Sequence, residues 1–295
     1  MPRRPICSSA SAIMEIVDSQ LHLWEANSGA RPWAPDVLAN PRFRARPSFT
    51  IEAGLHSMAE AGVDAAIIVS PVHYGYDPSY TLEAAAAHPK RFSAVALIDP
   101  ARPDIEEHVA TWRRRPGALG FRIFAMTDED TARIKGGEFA KLLATAERHE
   151  VPICICPWNH LDAVDYIGRT YPDLCLVVDH TGLAQPPFAT CEDPFHDLPD
   201  LLELARHPNI AVKLTAVPTM SQEKFPYRDI WAPLYRIIDG YGTERLMWGS
   251  DITRVGQHHS YEQGRDYVFE MDKLSASERE ALMGKSLRRV FRWPT

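Results

Sequence analysis

EIVDSQLHLW, the sequence of residues 15–24, joins a short apolar run to a polar segment that carries an amide and an imidazole. Residues 15–17 are typical of a β-strand, and the chain turns polar where a strand of a parallel sheet would leave the core. Gln20 and His22 are two residues apart, so on a strand their side chains point the same way. The segment therefore predicts a strand end that presents two neighbouring polar side chains.

Seven more short apolar runs follow, and stretches with apolar residues at helical spacing separate them. This alternation is typical of βαβ units around a parallel sheet. Because no Gly-x-Gly-x-x-Gly follows the first run, the pattern favours the α/β class and a single (β/α)8 TIM barrel over a doubly wound open sheet. The further strands are predicted at 65–69, 92–98, 119–124, 151–156, 174–178, 210–214 and 245–248. Helices are predicted at 51–61, 82–88, 104–114, 136–149, 161–171, 198–206, 227–241 and 276–290.

The chain has 295 residues, a length that one barrel domain can occupy. Apolar residues make up 45% and charged residues 24%, the composition of a globular protein. Residues 1–13 are too short and too polar for a signal peptide, so we interpret them as a loose N-terminal extension and 14–295 as the barrel domain. The sequence does not decide between Met1 and Met14 as the start.

The formal net charge of -7 argues against binding to nucleic acid or to an anionic membrane surface. No run is long enough to cross a bilayer, and the expected partner is a small molecule. The five cysteines are an odd number in a large chain, which favours a reducing compartment and hence the cytoplasm. Cys154 and Cys156 lie in one apolar run, where we expect them to pack in the core. The oligomeric state, including a homo-oligomer, is left open.

Reactive side chains collect at the ends of the predicted strands, where parallel barrels keep their chemistry. His180 follows the sixth apolar run and Asp251 follows the eighth. Arg122 and Lys213 stand inside the fourth and seventh runs, and a buried cation must be paired or face a ligand because its desolvation is otherwise too costly. We predict that these side chains join Gln20 and His22 in one pocket.

Two loop residues extend the predicted site. Tyr76 lies in a polar, aromatic segment after the second run, at 70–77, and the alternative role of that segment is a packed turn. Arg254 follows Asp251 by three residues and is a candidate to bind an anionic substrate. Its alternative is a solvated surface position.

Five motifs stand in order on these strands: VDSQLHLW at 17–24, GFR at 120–122, VDHTG at 178–182, VKL at 212–214 and MWGSD at 247–251. Together they resemble the amidohydrolase-2 group of the amidohydrolase superfamily, over roughly residues 16 to 293. The most similar branch contains lactonases that act on pyrone dicarboxylate and on sugar lactones. The resemblance implies a hydrolase that opens a small, carboxylated lactone or related cyclic ester with an activated water.

One departure from the family bears on a metal. The first strand of the family usually carries a His-x-His pair, and Gln20 takes the place of its first histidine, while His22 keeps the second. A carboxamide is a weak ligand beside imidazole, so the sequence favours a site without a tightly bound metal. The alternative is one divalent ion, zinc by preference, held by His22, His180 and Asp251.

Both versions of the site use the same residues and keep Asp251 as the proton acceptor. Without a metal, Asp251 is the general base that takes a proton from water, while His180 and His22 orient the water and polarise the ring carbonyl. With zinc held by these three residues, the ion does the polarising. Arg122 and Lys213 stabilise the oxyanion or clamp a substrate carboxylate. Gln20, Tyr76 and Arg254 complete the predicted substrate-binding set.

Two other functions are weighed against lactone hydrolysis. One is metal-dependent decarboxylation or hydration of an aromatic or unsaturated acid, which distant relatives perform with an intact His-x-His pair. The other is a barrel that binds a small ligand without catalysis, for which Gln20 is the only support.

Overall fold

The eight apolar runs form one parallel sheet in the computed structural model, which describes residues 14–187 and 192–294. The strands stand in sequence order, and each pairs in parallel with the next. The prediction of a single (β/α)8 barrel is therefore confirmed, while the predicted extension at 1–13 lies outside the described residues. The strands are β1 (Val17–Leu21), β2 (Ala65–Val69), β3 (Phe92–Leu97), β4 (Ala118–Phe124), β5 (Ile153–Cys156), β6 (Leu176–Val178), β7 (Ile210–Thr215) and β8 (Leu246–Gly249).

Helices lie between the strands, and several begin at side-chain caps. Thr50 accepts a hydrogen bond from the Ala53 amide, and Ser260 and Ser275 each form a capping box with the residue three positions on. In the described part of the chain, no helix has the length and apolar character of a bilayer span. The α-helices are α1 (Pro35–Ala39), α2 (Pro41–Arg44), α3 (Ile51–Glu60), α4 (Ser79–Ala87), α5 (Ile105–Thr111), α6 (Asp128–Lys135), α7 (Ala140–Arg148), α8 (Leu161–Thr170), α9 (Leu198–Glu203), α10 (Trp231–Tyr241), α11 (Ile252–Val255), α12 (Tyr261–Glu270), α13 (Ala276–Glu280) and α14 (Ser286–Phe291).

Helices such as α6 and α12 were not predicted, and two predicted elements differ in kind from the observed ones. The first strand was expected at residues 15–17, but β1 runs through the polar residues up to Leu21 because their side chains find partners inside the barrel. The last predicted helix is interrupted by a π-helical turn at Ala281–Lys285, between α13 and α14. In that turn a Cβ on Gly284 would lie 2.9 Å from the Glu15 carbonyl oxygen, so the helix and the first strand approach closely there.

The core has two layers, one between the sheet and the helices and one inside the barrel. The inner layer is closed below by α14, whose Leu287 and Phe291 pack against strand residues such as Val17 and Met247. Cys154 belongs to this layer and Cys156 is also buried, so the prediction that both pack in the core is confirmed. Burial raises the pKa of each of these two thiols to about 12, which leaves them protonated and unreactive at neutral pH.

A buried carboxylate joins the first and last strands. Asp18 accepts hydrogen bonds from the amide of Ser250 at 2.8 Å, from the Ser250 hydroxyl, and from the Tyr261 hydroxyl at 2.6 Å. Beside it, the Asp251 amide donates to the Gln20 carbonyl oxygen at 3.0 Å. The side-chain bonds to Asp18 and this backbone bond thus close the barrel between β1 and β8.

We expect Asp18→Ala to lower the free energy of unfolding by about 3 kcal/mol, because it leaves buried donors on Ser250 and Tyr261 without an acceptor. Urea denaturation followed by circular dichroism measures the change. Asp162→Ala, which removes an exposed carboxylate on α8, is the control. A loss for Asp18→Ala no larger than for the control would show that the closure between β1 and β8 does not depend on this carboxylate.

Candidate active site

Irregular pairing on two strands turns site residues into the barrel. On β1, Val17 packs in the inner layer and Leu21 in the outer one, although a regular strand would point both the same way. The pairing with β2 shifts between these positions, which is a bulge, and it brings Gln20 to the inner side. On β4 a similar shift lies near Leu119, and Arg122 reaches the interior three residues later. Both bulges turn polar side chains towards the carboxyl-terminal end of the strands, which we call the mouth of the barrel.

A fully buried carboxylate organises the cations of the site. Asp179 forms ion pairs with the Arg122 Nε at 2.6 Å and with the Lys213 Nζ at 2.9 Å. Burial alone would raise the pKa of Asp179, but Lys213 and Arg122 hold it below its usual range. Although burial opposes the charge of Lys213, Asp179 raises the pKa of this lysine. All three groups are therefore charged.

The hydrogen-bond network defines the state of His22. Its Nδ1 lies 2.8 Å from the Val69 carbonyl oxygen, which can only accept, so Nδ1 carries the proton. Lys213 donates to the Gln20 Oε1 at 2.9 Å, which turns the Gln20 amide nitrogen towards the His22 Nε2 at 3.3 Å. Burial lowers the pKa of His22. His22 is thus a neutral imidazole whose Nε2 lone pair accepts from the Gln20 amide.

The carboxylate of Asp251 has one oxygen bound and one available. Its Oδ2 accepts from Arg254, whereas Oδ1 is buried without a hydrogen-bond donor among the described residues. Oδ1 lies 3.5 Å from the His22 Nε2, and the His180 Nδ1 lies 3.9 Å from Oδ2. Asp251 and His180 both adopt left-handed backbone conformations, with φ of 48° and 55°. Such conformations cost free energy in residues other than glycine and tend to occur at functional sites.

His180 is also neutral. Its Nε2 lies 3.3 Å from the Nη2 of Arg122, which can only donate, so the ring proton is on Nδ1. Burial lowers the pKa of His180 well below its usual value. This Nδ1 is buried and makes no hydrogen bond to the described residues. His180 therefore presents an N–H donor beside the Asp251 carboxylate.

The structure brings most predicted site residues together. These are Gln20, His22, Arg122, His180, Lys213 and Asp251, with Arg254 beside the last. Tyr76 is not among them: its side chain is 58% exposed, and the charges that act on it include Asp99, Arg133 and Glu138. Lys213 and Gln20 are fully buried and contact one another, as expected for a cation inside an apolar run.

Two site groups were missed by the sequence reasoning. Asp179 stands in the VDHTG motif but was given no role there, yet two cations buried in apolar runs already required a nearby anion. The other group is His73, on the loop after β2, whose buried ring stacks on Trp24 with centroids 4.6 Å apart and forms no ring hydrogen bond to the described residues. Burial lowers the pKa of His73 to about 4, so it is neutral. It lies in the polar, aromatic segment 70–77 that the sequence marked, although His73 itself was not singled out.

The donor set can be tested against a divalent ion. The His22 Nε2 and the Asp251 Oδ1 are 3.5 Å apart, a spacing that two ligands at about 2.1 Å from one zinc can have. The other candidate ligand atoms, however, already contact basic side chains: the Gln20 Oε1 contacts Lys213, the His180 Nε2 contacts Arg122 and the Asp251 Oδ2 contacts Arg254. Within the described ranges, no three His, Cys, Asp or Glu side chains are arranged as a metal site. With three cations this close, the donor set does not fit a tightly bound divalent ion.

Comparison with known proteins places this geometry in context. The family model described as amidohydrolase matches residues 17–293. An L-fucono-1,5-lactonase of Burkholderia ambifaria is 27% identical over 248 residues, which cover 82% of each chain. A 4-sulfomuconolactone hydrolase of Hydrogenophaga intermedia is 25% identical over 214 residues, covering 71% of this chain and 67% of that protein.

A solved structure shares the whole barrel. It is an amidohydrolase from Burkholderia multivorans with bound zinc, which is 25% identical, has a TM-score of 0.79, and aligns over 95% of this chain and 100% of its own. The similarity inferred from the five sequence motifs is thus confirmed. That relative binds zinc, whereas the absence of a tight metal in this chain stays a prediction.

Proposed function

Because the chain belongs to the amidohydrolase family, whose model matches almost its whole length, we propose that it is a hydrolase that opens a small lactone bearing an anionic group, without a tightly bound metal. One observation carries the proposal. The buried Asp251 Oδ1 has no hydrogen-bond donor among the described residues, and it lies 3.5 Å from the His22 Nε2, which accepts from the Gln20 amide at 3.3 Å. A buried carboxylate oxygen without a donor is costly, and a water molecule at this position supplies one.

The reaction follows from these proton positions. Water donates to Asp251 as its oxygen attacks the ring carbonyl carbon, so the carboxylate acts as general base. The N–H of His180 donates to the carbonyl oxygen as negative charge develops there. When the ring carbon–oxygen bond breaks, the leaving alkoxide takes the proton that Asp251 received, and a hydroxy acid is released. His22, whose Nε2 accepts from the Gln20 amide, lies beside the position of this water.

Charge supports an anionic substrate. The site holds three positive charges, on Arg122, Lys213 and Arg254. Only two negative charges, on Asp179 and Asp251, oppose them. One positive charge is therefore in excess. A buried excess charge is costly unless a ligand compensates for it. By its name, the relative from Hydrogenophaga intermedia acts on a lactone with a sulfo group. That group is negatively charged, as is the substrate proposed for this chain. No contact described above favours the decarboxylase, the hydratase or the non-catalytic barrel.

The test is a hydrolysis screen that pairs lactones bearing a carboxylate or sulfonate with neutral sugar lactones. We expect kcat/KM to be higher for the anionic set, metal content of the purified protein well below one equivalent, and turnover unchanged by a chelator. Gln20→His should raise zinc occupancy, because it restores a second imidazole beside His22. Stoichiometric zinc in the wild-type protein, with activity lost to chelator and restored by zinc, would overturn the metal-free mechanism.

A further inference from the structure

Arg254 is bound on three sides by groups of the protein itself. Its Nε pairs with the Asp251 Oδ2, its Nη1 donates to the Pro186 carbonyl oxygen at 2.8 Å, and its Nη2 donates to the Gln185 Oε1 at 2.8 Å. Only 10% of the side chain is exposed. A guanidinium with all three of its nitrogens engaged in this way is poorly placed to clamp a substrate carboxylate as well.

The two acceptors for the Arg254 Nη atoms, the Pro186 carbonyl oxygen and the Gln185 Oε1, belong to the segment that follows β6. Hydrogen bonds hold this segment against the ends of two strands. Gln185 is fully buried, and its amide nitrogen donates to the carbonyl oxygens of His180 at 3.2 Å and Thr215 at 3.1 Å. The position of Arg254 is therefore defined by the ends of β6 and β7, and that of the Asp251 carboxylate by Arg254. The planar fork of the guanidinium transmits this orientation, which a flexible ammonium would not.

We propose that Arg254 is a positioning residue that fixes the rotation of the Asp251 carboxylate, so that one of its oxygens, Oδ1, stays turned towards His22. The proposal rests on the proposed function, because it assumes that Asp251 is the base. Asp251 needs such support. It lies at the end of a strand in a left-handed conformation, with its amide bonded to Gln20 but no side-chain cap on the following short helix, α11. Without Arg254 the carboxylate would rotate about its Cβ–Cγ bond to intermediate angles, and the base would lose its fixed distance to the water.

The chain offers a matched control on the other side of α11. Arg46 donates to the Thr253 carbonyl oxygen at 3.0 Å, and its guanidinium packs over the Phe49 ring at 4.5 Å. Neither of these contacts reaches Asp251. Arg46→Gln therefore removes an arginine contact to the segment that carries Arg254 and leaves the carboxylate untouched. It separates loss of carboxylate positioning from general loosening of this segment.

The experiment measures kcat, KM and the thermal midpoint for Arg254→Gln, Arg254→Lys and Arg46→Gln on a carboxylated lactone that the wild-type protein hydrolyses. For Arg254→Gln we expect kcat to fall about 10²-fold and KM to rise only severalfold, because misplacing a catalytic group costs rate, whereas the loss of one charge near an anionic substrate weakens binding less. Arg254→Lys should lose about tenfold in kcat, since its ammonium reaches the carboxylate but not both loop acceptors. Arg46→Gln should keep kcat within about twofold.

Three results would overturn the positioning role. A KM raised about tenfold with kcat preserved in Arg254→Gln would make Arg254 a substrate clamp instead. Full activity in Arg254→Lys would show that the fork is not needed, and it remains decisive if Arg254→Gln does not fold. An equal loss in Arg46→Gln would assign the effect to the segment. If the wild-type protein hydrolyses no lactone, the proposed function fails; if it does and Arg254→Gln matches it, only this inference fails.

Discussion

Asp251→Asn is expected to lower kcat for lactone hydrolysis by about 10²- to 10⁴-fold, the range that removal of a general base produces. The carboxamide has nearly the same shape as the carboxylate, but it does not accept a proton at neutral pH. One oxygen position remains to accept the Arg254 hydrogen bond, and the buried Oδ1 position is the one that takes the proton from water. The chemistry should therefore be lost while the fold is kept.

Steady-state kinetics on the lactone identified in the screen, with circular dichroism of the same samples, checks this expectation. Asp162→Asn, a change of an exposed carboxylate on α8, is the matched control and should retain wild-type turnover. Turnover of Asp251→Asn within a factor of a few of wild type would remove Asp251 from the mechanism. A collapse of the circular dichroism spectrum would instead assign the residue a structural role.

Asp179→Asn is expected to have the largest effect on stability, lowering the free energy of unfolding by about 3 to 5 kcal/mol. The substitution leaves the charges of Arg122 and Lys213 buried without their shared counter-ion. Chemical denaturation at neutral pH measures the loss. The double variant Asp179→Asn with Lys213→Met removes one charge of each sign, and we expect it to be more stable than Asp179→Asn alone. Simple additivity of the two single losses would contradict the buried ion pair.

The same carboxylate predicts how stability depends on pH. Lys213 and Arg122 hold the pKa of Asp179 below its unfolded value of about 3.9, despite its burial. Its contribution is therefore fully present above the unfolded pKa, and it is lost as the pH falls from there through the folded pKa. Asp18 has the opposite sign, because burial raises its pKa. The difference between wild type and Asp179→Asn isolates Asp179, and this difference should shrink on acidification below about pH 4.

Much of the fold was readable from local sequence. The alternation of apolar runs and helical stretches predicted all eight strands, because parallel strands are buried on both faces and must be apolar whatever surrounds them. The polar residues at the ends of these runs, among them His180 and Asp251, likewise indicated a site at the mouth, since the topology of a parallel barrel places every strand end there. The same reasoning misplaced β1, whose polar half continues as strand.

The contacts within the site were decided by tertiary structure. The bulge on β1 that turns Gln20 inward, the pairing of Lys213 with Asp179 and the bond from Arg254 to the loop after β6 each join residues that are distant in sequence or depend on a register shift. The sequence predicted that Arg254 binds an anionic substrate. In the folded chain its guanidinium instead donates hydrogen bonds to acceptors of the protein itself. Charge pairing depends on distances across the closed barrel, and these arise only when all eight strands meet. Local sequence thus determined which chemical groups stand at the mouth, and closure of the barrel determined which of them pair.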